Sequence, residues 1–251
     1  MSENLQLFRF MEQRLPPEDK RRLVLATGAR QTGKTTLAKS CYPRLRYVNL
    51  DAPENREALR AASSDFWGRD IGPAVLDEAQ KEPVVFDKVK YAYDARALSF
   101  SVLLGSSQVL LLKKIRESLA GRVSIYELWP LMMSEIANNS GTAPAALPLL
   151  GRILAAGECD AALREEPSVL LEAEDAPRRE GRDYLLAWGG MPALRELDPG
   201  ERRQWLRDYE QTYLQRDLTD LARLNDLMPF RKFQRLTALR SGGLLQQSDL
   251  A

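Results

Sequence analysis

Short apolar runs, each closed by polar or turn-forming residues, recur through the first half of the chain. Between them the apolar positions step by three and four. Residues 23–27, 46–50, 74–76, 100–104 and 123–128 read as strands, and 33–41, 54–62, 84–97 and 108–119 as helices. Strands alternating with helices over residues 20–130 predict an α/β domain: a mostly parallel five-stranded sheet flanked by helices. The pattern then changes. Residues 137–148 are rich in Asn, Ser, Gly, Thr, Ala and Pro and read as a loop or linker. Beyond it the chain is mainly helical, and the expected division is 1–136, a connection over 137–182, and a smaller helical region over 183–251.

Residues 202–224 place Trp205, Leu206, Tyr209, Tyr213, Leu214, Leu218 and Leu221 on one helical stripe, and a second helix carries Phe230, Phe233, Leu236 and Leu239. Core packing is the expected use of both stripes, with a partner groove as the alternative. The first fourteen residues read as an amphipathic helix without a signal-peptide pattern.

Composition narrows the chemistry. Lys and Arg total 36 against 35 Asp and Glu, so the net charge of +1 supports neither a nucleic-acid nor a membrane footprint. The chain has no histidine, which excludes a Ser-His-Asp or Cys-His catalytic set and removes the commonest transition-metal ligand. Two cysteines, Cys41 and Cys159, are too few for a structural zinc site and make a poor disulfide framework. No apolar run approaches membrane-spanning length. A cytoplasmic protein is expected.

The chemistry concentrates after the first strand. Gly28, Ala29, Arg30, Gln31, Thr32, Gly33, Lys34 and Thr35, followed by Thr36, fit the phosphate-binding pattern G-x-x-x-x-G-K-[ST] between an apolar strand and a helix start. Such a loop aims backbone N–H groups and the positive end of a helix at one anion. Lys34 would reach the outer phosphates and the Thr35 hydroxyl would sit on Mg²⁺. The second half of the site is Ala74-Val75-Leu76-Asp77-Glu78, a buried strand ending in two carboxylates. Asp77 would hold the metal, and Glu78 would polarise an attacking water.

Two further residues complete the expected set. Ser106, just past the strand 100–104, would hold the γ-phosphate or the lytic water, although serine is also a common turn residue there. Arg122 follows Gly121, which would end a helix. It reads either as a cation stabilising transition-state charge or as a partner for the helix's last carbonyls.

The order of these motifs resembles that of AAA-type P-loop ATPases of a bacterial and archaeal family with a poorly characterised C-terminal region. The resemblance rests on 28–36, on Tyr47-Val48-Asn49-Leu50-Asp51, on Leu76-Asp77-Glu78-Ala79-Gln80 and on Leu104-Gly105-Ser106-Ser107. It extends through 118–123, 127–131, Trp188-Gly189-Gly190-Met191-Pro192 and 213–218, nearly the whole chain. The resemblance implies that the strand before Ser106 lies between the two phosphate-motif strands. It also implies ATP rather than GTP, in keeping with the lack of an Asn-Lys-x-Asp motif. Ring-forming or paired relatives imply a homo-oligomer in which Arg122 acts on a neighbour's nucleotide. Residues 241–251 resemble the opening of the family's winged-helix segment, the rest of which lies outside this sequence.

The expected function is Mg²⁺-dependent ATP binding and hydrolysis coupled to a conformational change. The alternative is a nucleotide-gated interaction module or DNA-associated scaffold with little turnover. A small-molecule kinase is disfavoured, since neither an acceptor pocket nor a basic lid is identifiable.

Overall fold

The computed structural model describes residues 7–105, 119–138, 149–157, 159–164, 172–213 and 228–243. Ser106, the helix expected at 108–119 up to its last residue, most of the linker and residues 214–227 and 244–251 lie outside the described residues.

Five strands, β1 (Arg22–Thr27), β2 (Arg46–Asn49), β3 (Ala74–Asp77), β4 (Phe100–Leu104) and β5 (Val123–Glu127), form one sheet in the order β2-β3-β4-β1-β5. Every pairing is parallel. The reason is legible in composition. β1, β3 and β4 are almost wholly buried and read as unbroken apolar runs, as strands covered on both faces must. β2 and β5 lie at the edges and are only partly buried.

Side chains alternate between two cores, following the two-residue period of a strand. Leu23, Leu25, Leu76 and Leu103 face one core with Trp67, Phe86 and Val89. Val24, Ala26, Val75, Val102 and Leu104 face the other, with Ala38 and Tyr42. Helix α1 (Lys34–Cys41) supplies the second core, while α2 (Pro53–Ala61), α3 (Trp67–Asp70) and α4 (Val84–Asp94) cover the first.

After β5 come α5 (Met133–Asn138), α6 (Leu149–Ala156), α7 (Cys159–Arg164) and α8 (Glu172–Trp188). α8 packs on α5, with Gly181 at the crossing; a Cβ there would lie 3.3 Å from the Met133 carbonyl oxygen. Past α8, the Leu131 N–H donates to the Gly190 carbonyl at 2.7 Å, and a Cβ on Gly190 would collide with the Leu131 oxygen. That close approach delivers the 3₁₀ turn Pro192–Glu196 to the carboxyl ends of the strands.

The chain forms two compact units, Met1–Glu196 and Leu197–Ala251. The second contains α9 (Pro199–Tyr213) and α10 (Met228–Leu239). Asp198 caps α9. Its Oδ1 accepts the Gly200 and Glu201 N–H groups at 2.7 and 2.9 Å, which holds its carboxyl below the usual range.

Two expectations change. Residues 7–14 are not an amphipathic helix: Arg9 is extended and Phe10–Arg14 is a single 3₁₀ turn. The side chain of Arg9 is drawn inward, and that tertiary contact overrides local helical preference. The apolar stripe of α10 is also not core, with Phe233, Leu236 and Leu239 exposed. A unit this small has little opposing surface with which to cover such a face.

Candidate functional site

The loop between β1 and α1 is shaped by residues that tolerate unusual backbone angles. Gln31 and Gly33 have φ of 62° and 92°. At Gly28 a Cβ would collide with the carbonyl oxygen of Leu128, whose N–H donates to Thr27 at 2.7 Å. Only glycine lets β1 leave the sheet so close to β5. The Thr32 hydroxyl donates to the Ala29 carbonyl at 2.9 Å, closing the loop on itself. Helix α1 then begins, with Leu37 N–H bonded to Gly33 at 2.9 Å, so its first N–H groups face the loop's hollow.

Lys34 is buried and folds back, donating to the carbonyls of Gly28 (3.0 Å) and Ala29 (2.7 Å). Burial lowers its pKa; the Glu78 and Asp77 carboxylates oppose that shift, and the Arg30 guanidinium adds to it. An ammonium in this position is under-neutralised and suited to receive an anion.

Asp77, the last residue of β3, is the hub of the second half. Its Oδ2 accepts the Thr35 hydroxyl at 2.6 Å and the Tyr47 hydroxyl at 2.7 Å, while Oδ1 accepts the Glu78 N–H at 2.9 Å. The register pairs Asn49 with Asp77, so Tyr47 lies on the same face of β2 as the residue opposite the carboxylate. Its ring carries the Lys39 ammonium 3.8 Å from the centroid. Burial, and then the bond to Asp77, pushes the Tyr47 hydroxyl pKa well above its usual range. Tyr47 therefore stays a donor.

Glu78 follows in the left-handed region, with φ 55° and ψ 41°. Its carboxylate accepts the side-chain amide of Gln80.

These groups open on a cavity of about 550 Å³, within the range of small-molecule sites. Arg30, Gln31, Gly33, Lys34, Thr35, Thr36 and Glu78 line it. Gly28, Ala29, Thr32 and Asp77 stand behind that lining as supports. A hydroxyl beside a carboxylate, facing an ammonium and a loop of backbone amides, is a donor set suited to a hard cation on a polyphosphate.

Arg122 is not among them. It immediately precedes Val123, whose register partner is Leu23, whereas the loop leaves β1 after Thr27 opposite Glu127. Five residues of strand, about 16 Å, separate Arg122 from the loop. It pairs with Asp94 at 2.6 Å and donates to the Ala120 carbonyl at 3.0 Å. Gly121 does take a left-handed φ of 76°. Within one molecule the carbonyl-bonding alternative is the one observed.

The far wall of the cavity, absent from the sequence-level set, comes from both flanks of the sheet domain. Pro192, Ala193, Arg195 and Glu196 contribute from the 3₁₀ turn, and Leu7, Arg9 and Glu12 from the N-terminal segment. Arg195 stacks its guanidinium on Tyr184, 4.9 Å from the ring centroid. The Trp188-Gly189-Gly190-Met191-Pro192 motif was the one available sign that this stretch mattered. Nothing local marks Arg9, a charged residue that is 6% exposed.

Residues 20–137 match the family described as an AAA domain, and residues 179–251 match a domain of unknown function. Uncharacterized proteins of Mycobacterium tuberculosis and Mycobacterium bovis are each 32% identical over 120 residues, 47% of this chain. The chain spans 27% of the length of those relatives. A Signal Transduction ATPase with Numerous Domains (STAND) protein from Pyrococcus horikoshii, with a tetratricopeptide repeat sensor, aligns over 92% of this chain and 35% of its own. Its identity is 12% and its TM-score 0.42. The Drosophila ORC bound to DNA aligns over 90% and 70%, with 16% identity and a TM-score of 0.37. The strand order and phosphate loop built above agree with the match over residues 20–137, and that stretch is an AAA-type P-loop domain.

Proposed function

We propose that the chain binds ATP with Mg²⁺ at the carboxyl ends of β1 and β3, hydrolyses it, and couples the cycle to a conformational change. The observation that carries this reading is the meeting of Thr35 and Asp77 at 2.6 Å beside the Lys34 cradle. Backbone N–H groups of residues 29–36 and the Lys34 ammonium hold the phosphates. The Thr35 hydroxyl keeps its hydrogen on Asp77, which leaves its lone pairs for the metal. Thr35 and Asp77 would hold Mg²⁺, which would offset charge that builds during transfer. Glu78 turns a water toward the γ-phosphate and takes its proton, once its carboxylate is released from Gln80. Ser106, two residues past β4 in sequence, is proposed to contact the γ-phosphate, and Arg122 to act only on a neighbouring molecule's nucleotide. Two free cysteines fit a reducing, cytoplasmic setting. Among the described residues no helix is long and apolar enough to cross a membrane.

The test is paired measurement of nucleotide affinity and turnover for the wild type and Glu78→Gln. The variant should bind ATP with Mg²⁺ about as tightly as wild type and lose about 10²–10⁴ in rate. Wild-type turnover by Glu78→Gln removes Glu78 as the base. No affinity of the wild type for ATP with Mg²⁺ removes the reading altogether.

One observation favours a second reading, a nucleotide-gated module with slow turnover. The Glu78 carboxylate is engaged by Gln80, and Arg122 is engaged by Asp94 at the opposite end of the sheet. Both side chains are thus engaged by other groups of the same molecule. Gln80→Ala distinguishes the two: faster turnover identifies the amide as a restraint on the base.

A further inference from the structure

Arg9 and Glu135 form a buried ion pair at 3.2 Å, with side chains 7% and 3% exposed. The pair is tied to the backbone at four points. Arg9 Nη1 donates to the Thr32 carbonyl at 2.8 Å and Nη2 to the Trp129 carbonyl. Glu135 accepts the N–H of Phe10 at 2.9 Å and of Met132 at 3.1 Å. One pair therefore joins the N-terminal segment, the phosphate loop, the turn after β5 and helix α5. Arg9 also lies outside residues 20–137, the stretch matched as an AAA domain.

Desolvating two charges is costly, and such pairs often contribute little net stability, so fold stability alone is a weak reason for this one. Its geometry suggests another. A phosphate loop works only if its N–H groups face inward, and in a trans peptide the carbonyl of the same unit then points the opposite way. Thr32 is fully buried, and water cannot satisfy its outward carbonyl. The Arg9 guanidinium does so. It pins the peptide between Thr32 and Gly33, whose N–H belongs to the stretch that faces the phosphates.

We infer that Arg9, held by Glu135, is a positioning residue for the nucleotide site: the N-terminal segment sets the phosphate loop through the Thr32 carbonyl. The inference rests on the nucleotide-binding reading above. It assigns residues before the matched domain a part in ligand affinity, without contact with the reacting atoms.

The experiment uses the full chain with Arg9→Met, the double variant Arg9→Met/Glu135→Gln, and Arg9→Lys. Arg9→Met leaves an unpaired buried carboxylate and should lower the melting temperature. The double variant removes both charges and keeps an acceptor for one of the two N–H groups of Phe10 and Met132, and should recover part of that loss. Two readouts are then taken well below the melting temperatures. Amide hydrogen exchange of residues 28–34 is measured without ligand, and the Kd of a fluorescent ATP analogue with Mg²⁺ by titration. The double variant should exchange faster in the loop and bind about tenfold more weakly than wild type, although it is more stable than Arg9→Met. Arg9→Lys, which keeps charge but not the fork, should fall between. Unchanged loop exchange in the double variant overturns the positioning role. Faster exchange with wild-type Kd overturns its link to affinity. If the wild type itself fails to bind the analogue, the nucleotide reading fails, and exchange still decides whether the pair sets the loop.

Discussion

Tyr47, on edge strand β2, donates its hydroxyl to Asp77 on the adjacent β3 at 2.7 Å, onto the same oxygen that receives Thr35. The bond fixes the carboxylate's rotamer. It is to a candidate metal-binding carboxylate what an outer partner is to any metal ligand, and loss of such partners typically costs about 10–100-fold in metal affinity. Tyr47→Phe keeps the ring under Lys39 and removes only the hydroxyl. The expected outcome is an unchanged melting temperature, unchanged nucleotide affinity in EDTA, and about tenfold less enhancement by Mg²⁺. Titration with and without the metal reads it directly.

Gly28 carries a different kind of constraint. A side chain there meets the Leu128 carbonyl, which is backbone and cannot rotate away. Gly28→Ala should cost about 2 kcal/mol or more in urea unfolding and abolish nucleotide binding, because β1 and β5 must separate at the loop. Wild-type affinity in this variant would show that the loop can be rebuilt.

Lys34 gives the site a pH dependence. Its pKa is lowered by burial, so there is a window, below the usual lysine value of about 10.4, where the unfolded chain holds a proton that the folded chain has shed. Stability of the ligand-free protein therefore rises with pH through that window. Binding a polyphosphate raises the pKa again, so complex formation takes up a proton and affinity falls as pH increases. Calorimetry at alkaline pH in buffers of different ionisation enthalpy should report that uptake, and Lys34→Arg should abolish it.

Arg122 should be silent in an isolated molecule. Arg122→Ala is expected to leave nucleotide affinity of dilute protein unchanged, since Asp94 and Ala120 are its partners. If it serves a neighbour, specific activity of the wild type rises with protein concentration and that rise disappears in the variant. Weakened binding by the dilute variant contradicts its placement.

The parts readable from sequence are those whose cause is local. The loop pattern, the apolar strand before it and the carboxylates closing 74–77 each carry their signal within a few residues, and β1, α1 and β3 lie where those signals put them. The position of β4 between β1 and β3 was implied only by the resemblance. What was not readable depends on pairing across the fold. Tyr47 matters because β2 lies beside β3 in one register, and Arg9 because Glu135 is folded against it. The wall at Pro192 depends on Gly190 meeting Leu131. Arg122 shows a related limit: its glycine neighbour marks a turn, but a turn signal does not say at which end of the sheet it lies.

Glu78 occupies a backbone basin that non-glycine residues enter at a penalty of about 1 kcal/mol. Glycine would sit there at ease, so Glu78→Gly should melt higher than the native chain while giving up the carboxylate proposed as the base. On that proposal durability and turnover pull in opposite directions at a single residue, and the carboxylate persists there only against the preference of its own main chain.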